Sequence, residues 1–142
     1  MRLPHPKETL AGCVWLPRHI AKVRLHLSHG LPLSYRVALG SSIGVDGYFF
    51  RHFGLSLERM VAVVRKSQSN ADIATWFGGR PEGTGESIAR WNRLAETLGA
   101  RGHPGHVTFA IVKWLFYPKA IAQPVGSIFE AIAQDENLTP PP

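Results

Sequence analysis

LPRHIAKVRLHLS, from Leu16 to Ser28, is the stretch on which the fold class turns. Leu16, Ile20, Val23 and Leu27 recur at three- and four-residue steps, the spacing of one helical face. Pro17 falls in the first turn, where its missing N–H costs nothing. A helix is therefore predicted from near Pro17 to about Ser28, stopped by Gly30 and Pro32. Arg18, Lys22 and His26 lie four residues apart and stack on another face. His29 is a near neighbour and His19 sits at the margin. Arg24 falls at the flank of the apolar stripe. Trp15 precedes the helix, either as a staple or as a pocket wall.

Outward from this helix, Pro and Gly divide the chain into further short periodic runs. Ser56 is placed to cap a helix through about Lys66, with Leu57, Met60, Val61 and Val64 as its stripe. Ser69-Asn-Ala-Asp72 resembles a capping box and opens a helix holding Ile73, Trp76 and Phe77, stopped by Gly78-Gly79. Thr84 caps a helix carrying Ile88, Trp91, Leu94, Ala95 and Leu98, and Gly99 ends it. Val45–Phe53 reads as a short helix or helical turn closed by Gly54. Val107–Tyr117 is very apolar, with Lys113 its sole charge. Its length leaves helix and strand open, and its helical neighbours favour helix. Pro118 and Pro124 fence off a short piece, and Ser127 caps a last helix over Ile128, Phe129, Ile132 and Ala133.

One segment departs from this period. Tyr35, Val37 and Leu39 alternate with Ser34, Arg36 and Ala38, which reads as a short strand or an extended connector. The expectation is a mainly α, compact single domain over residues 1–138, built of about six short helices with a short extended segment near 34–40. Residues 139–142 are expected to be a disordered tail.

The composition sets limits on function. With 142 residues, 44% hydrophobic and 18% charged, the chain has the size and make-up of one globular domain. Cys13 is the only cysteine, so an intramolecular disulfide and a cysteine zinc cluster are both excluded. The opening MRLPHPKETLAG does not read as a signal peptide, because Pro4, Pro6 and Glu8 interrupt it. The apolar runs are too short for a membrane span. A cytoplasmic location without membrane attachment is the expectation. The formal charge of +6 favours anionic partners: nucleic acid, phosphorylated metabolites or acidic lipid surfaces.

Leu16-Pro-Arg18, Lys22-Val-Arg24 with Leu27, Gly47–Phe53 followed by Gly54-Leu55, and Ala71-Asp72 before Trp76 stand in a telling order. In that order the chain resembles a bacterial family catalogued as a domain of unknown function, number 5069 in its series. The resemblance covers roughly Pro4 to Leu94, so 99–138 reads as a C-terminal addition packed on that core. It implies a compact helical fold and lends no mechanism, because the family has no assigned reaction. It directs attention to Arg18, Lys22, Arg24 and Asp46.

The candidate ligand-binding residues are Arg18, Lys22, Arg24 and His26. Arg offers a planar fork for carboxylate or phosphate, and Lys adds a point charge. Cations near a helix N-terminus oppose its dipole, which an acid or a bound anion would relieve. The plainer reading is a solvated charged face, with Arg18 paired to Asp46 or Glu58. For Arg24, beside apolar residues, a buried pair with Asp46 or Asp72 is the structural reading and an anion site the functional one. Asp46, Tyr48 and His52 are the candidate catalytic groups, His52 for proton transfer. His103 and His106, like the other histidines, lack a third ligand at metal spacing, so no metal is assigned. No nucleophile elbow, phosphate loop or dinucleotide fingerprint occurs, and no cofactor is implied.

Two functions follow as expectations. One is a domain that binds or acts on an anionic small molecule at the basic helix face. The other is a nucleic-acid-associated or partner-binding helical module without catalysis. The apolar Val107–Tyr117 run keeps a homodimer open as well.

Overall fold

Helix α1, Leu16–Leu27, lies at the centre of the core: Leu16, Ile20 and Val23 are wholly buried. The structure is a computed structural model that describes residues 2–116 and 126–142, with the side chains of 113–116 left aside. A small antiparallel hairpin precedes α1, pairing β1 (Thr9–Leu10) with β2 (Cys13–Val14) so that Thr9 faces Val14. The helices that follow are α2 (Leu33–Gly40), α3 (Val45–Phe53), α4 (Leu57–Lys66), α5 (Asn70–Gly78) and α6 (Gly85–Thr97), with a 3-10 turn at Pro81–Gly83. Then come α7 (His106–Phe116) and α8 (Ile128–Asp135). The mainly α expectation holds.

The predicted caps are present as hydrogen bonds. The hydroxyls of Ser56, Ser69, Thr84 and Ser127 accept from the backbone N–H of Arg59, Asp72, Ser87 and Glu130. Each satisfies one orphan donor of a helix start. Gly99 ends α6 with φ +83°, and a Cβ there would come within 2.8 Å of the Phe109 ring and 2.7 Å of Ile128. Glycine is needed both for the left-handed turn and for that close approach.

An aromatic cluster joins α3, α5 and α6. Phe49 and Phe53 meet Phe77 and Trp91 at ring separations of 4.9–6.2 Å. The hairpin is fastened to α6 by polar groups: Trp91 Nε1 donates to the Val14 carbonyl at 3.0 Å, and Asn92 accepts from the Val14 N–H at 3.0 Å. Helix α8 packs on α6, and the Ile128 N–H donates to the Leu98 carbonyl at 2.9 Å.

One segment corrects the sequence reading. Residues 34–39 are helical, not extended. Tyr35 and Leu39, one turn apart, face inward, whereas Val37 is 56% exposed and breaks the apparent alternation. Eight residues are too few to separate a period of 2 from one of 3.6. The apolar run is helical through Phe116, as its neighbours favour; among the side chains described there, 107–112, Phe109 alone is buried, while Val107 and Ile111 are 72% and 64% exposed. The expected fence of Pro118 and Pro124 lies outside the described residues, as does the side chain of Trp114.

Candidate functional site

Asp46 occupies the first turn of α3, and three side chains converge on its carboxylate. Trp15 Nε1 donates to Oδ1 at 2.8 Å, His19 Nδ1 lies 2.7 Å from the same oxygen, and Lys22 Nζ donates to Oδ2. A carboxylate only accepts, so His19 Nδ1 carries the proton in this contact. Asp46, His19 and Lys22 are at most 3% exposed. Burial alone would push the Asp46 carboxyl up, but the Lys22 ammonium and the His19 ring outweigh it and hold the carboxyl well below its usual range. Burial draws Lys22 below the usual lysine value, and Asp46 opposes that only in part.

One turn earlier on α1, Arg18 is 2% exposed and grips Glu136 with both prongs of its guanidinium. Nη1 also donates to the Pro4 carbonyl at 3.1 Å. The Tyr35 hydroxyl donates to Glu136 Oε2 at 3.0 Å, and its pKa is pushed up to about 12 by burial and by that carboxylate. Trp15 joins the two ion pairs. Its ring stacks on Phe129 at 5.5 Å, with Lys22 Nζ and the Arg18 guanidinium 4.6 and 5.6 Å from the ring centroid.

These groups lie at a cavity of about 250 Å³. Trp15, Arg18, Lys22 and Asp46 line it on the α1 and α3 side, α2 contributes Tyr35 and Val37, α7 contributes Phe109 and Val112, and α8 contributes Ile132. Arg18 Nε is buried and has no hydrogen-bond partner among the described residues. Lys22 uses one of its three N–H donors on Asp46. The site therefore sets a buried guanidinium and a buried ammonium beside apolar walls, which suits a polar head on an apolar body.

The expected site residues separate into two groups. Arg18, Lys22 and Asp46 come together, buried and not on a solvated face. Arg18 pairs with Glu136, replacing the expected Asp46 or Glu58. Arg24 is exposed and away from the cavity lining; of its two expected buried partners, Asp46 is held by Lys22, and Asp72 is exposed and accepts from the Gln68 N–H. The buried arc of α1 extends from its apolar stripe towards Arg18, His19 and Lys22, which leaves Arg24 outside. His26 lines a second concavity with His29, Arg36 and Arg65.

Tyr48 and His52 do not line the cavity. They follow Asp46 by two and six residues, which turns them about 200° and 240° around α3. Tyr48 carries the Arg51 guanidinium on its ring at 4.7 Å, and His52 bonds the Ser87 carbonyl at 2.9 Å beside Phe53 and Trp91. His52 is thus held against α6 and away from the cavity. Cys13 is buried, and burial pushes its thiol up, away from nucleophilic use. Among the described residues, no three His, Cys, Asp or Glu side chains gather as a metal site.

Sequence reasoning missed Tyr35 and Glu136. Tyr35 was misplaced with its segment, and Glu136 carries no local signal. Asp46 had one: it precedes Phe49 and Phe53 by three and seven residues, on the core-facing stripe, so it must be buried and paired.

A family model described as "Domain of unknown function (DUF5069)" matches residues 2–137, and the chain belongs to that family. The match runs past Leu94 and takes in α8. No curated protein matches the chain. Among the described residues, no helix is long and apolar enough to cross a membrane.

Proposed function

We propose that this member of the family binds a small molecule bearing a carboxylate or phosphate, with the anion on Arg18 and Lys22. One observation carries the reading: Arg18, Lys22, Trp15 and Asp46 converge on one cavity, where Arg18 Nε has no partner. Converging polar groups in a concavity support a small-molecule site over a broad phosphate-contacting face. Lys22, drawn below its usual pKa, is the group best suited to exchange a proton with a bound molecule, should chemistry follow binding. A cytoplasmic setting is part of the proposal, supported by a single buried cysteine and no disulfide.

The test is a thermal-shift screen with carboxylates and phosphates, read for each variant against its own ligand-free melting temperature. The expected result is a selective rise that Arg18→Lys abolishes, since lysine keeps the charge but loses the fork and Nε. An equal rise in wild type and R18K, or none with any compound, overturns the site.

A second reading has its own support. His26, His29, Arg36 and Arg65 surround the other concavity, and no carboxylate is among its lining residues. Phosphates of a nucleic acid would be held there. Binding to a short RNA or DNA that falls steeply with salt and is lost in R36A/R65A, with R18K unaffected, favours that reading.

A further inference from the structure

The charges at the cavity nearly cancel. Arg18 is paired with Glu136 and Lys22 with Asp46, and Asp135 lies on the same lining. A ligand is therefore not drawn in by net positive potential. The charged donors not fully taken are few, the buried Arg18 Nε and the remaining N–H groups of Lys22, with the Ser34, Ser41 and Thr108 hydroxyls on the same lining. They suffice to fix one head group, but not to hold a small, strongly hydrated anion on their own.

The walls are of a different character. Val37, Ile43, Phe109, Val112, Ile128 and Ile132 present aliphatic and aromatic surface to the same space. Helices α2 and α7 also expose Leu33 with Val37, and Val107 with Ile111, as one-turn pairs. Apolar surface of this kind stays in water if the occupant is acetate or inorganic phosphate, and leaves water if the occupant carries a chain.

We infer that the ligand is amphipathic: a carboxylate head on Arg18 and Lys22, continued by an aliphatic or aryl-aliphatic body of medium length along α2, α7 and α8. This rests on the anion site proposed above and names its ligand class. The head supplies orientation, and the chain supplies most of the affinity.

Calorimetric titration of the full chain with acetate, butanoate, hexanoate and octanoate, each below its micelle concentration, tests the inference. Octanol is the head-group control. Affinity is expected to rise roughly fourfold per buried methylene, with octanol at least tenfold weaker than octanoate. Equal binding of acetate and octanoate overturns the amphipathic class and leaves the anion site standing. Equal binding of octanol and octanoate overturns the carboxylate head, and with it the anion reading. Silence across the whole series overturns both. Val37→Asp puts a charge on a wall residue that is already half in water, so the fold tolerates it. This variant is expected to keep its ligand-free melting temperature and to lose the chain-length dependence. If that dependence survives in V37D, the walls are not the binding surface.

Discussion

Arg18 and Glu136 are 118 residues apart in sequence and close on each other as a two-pronged ion pair at the cavity. The contact ties the first turn of α1 to the end of α8. Glu136 keeps 15% of its side chain in water, whereas Arg18 keeps 2%. Loss of the carboxylate therefore strands a buried guanidinium, the costly case. Glu136→Ala is expected to lower stability by about 3–5 kcal/mol in urea unfolding. The double variant R18M/E136L removes both charges and is expected to recover a large part of that loss. A double variant as unstable as the sum of its singles would mean that the two side chains do not couple, and that each single loss comes from that residue's other contacts.

The Asp46 carboxyl lies well below its ordinary range, so folding favours its ionised form. The sign follows from proton counting: below about pH 4 the unfolded chain binds a proton that the folded chain refuses. The Asp46 contribution is complete above that pH and is lost as the pH falls towards the folded value. Asp46→Asn is expected to be less stable than wild type at pH 7 and to show a shallower loss between about pH 4 and pH 2.5. Lys22 acts at the alkaline end. With its value drawn down, the folded chain sheds a proton first, so stability rises with pH until the unfolded value of about 10.4 is reached. Unfolding free energies from pH 7 to 10 for wild type and Lys22→Met measure this slope, which is expected to flatten in K22M.

The fate of these residues marks what a sequence can reveal. The α1 stripe and all four capping hydroxyls were legible because they depend on neighbours within one turn. The pairing of Arg18 was not, because its carboxylate arrives 118 residues later and is followed only by a polar, proline-rich end. Lys22 and Arg24 illustrate the same limit. They are two residues apart on one helix, and the expectation gave Arg24 the buried partner. Asp46 settled the matter for Lys22, and only the packing of α3 on α1 decides where Asp46 sits. The α2 misreading has a local cause: Val37 mimics a strand alternation while pointing to solvent.

Tyr35 offers a spectroscopic check on the same corner. Its hydroxyl donates to Glu136, and burial with that carboxylate pushes its pKa up to about 12. Absorbance titration near 295 nm is expected to show one tyrosine ionising late, and Tyr35→Phe is expected to remove that late step. The folded chain keeps a proton that the unfolded chain loses near pH 10, so this group takes stability away between about pH 10 and 12. Y35F is expected to lose less stability than wild type over that window.

Gly47 sets the position of Asp46 from behind. A Cβ at Gly47 would lie 2.3 Å from the Ser42 carbonyl oxygen, a backbone atom that can move only with its whole loop. Gly47→Ala therefore pushes the start of α3 away from the 41–44 turn, and Asp46 with it. The expected cost is about 1–3 kcal/mol, as for other overpacked sites. If the cavity binds as proposed, ligand affinity falls with it. An unchanged melting temperature in G47A would show that the loop yields freely.

Trp15 brings backbone and side chain into one test. It stands just before α1 with φ +74°, a left-handed conformation that costs a residue with a side chain about 1 kcal/mol or more. The indole compensates: Nε1 donates to Asp46, one face stacks on Phe129, and both cations of the site lie near the ring. Trp15→Phe keeps the backbone strain and an aromatic ring but deletes the hydrogen bond to a buried carboxylate, a contact of about 1.5–3 kcal/mol. Trp15→Gly relieves the strain and loses every side-chain contact. The order expected in urea unfolding is wild type, then W15F, then W15G. A W15G protein as stable as wild type would mean that the strained turn costs as much as the indole returns, and the indole would then be held there for binding and not for the fold.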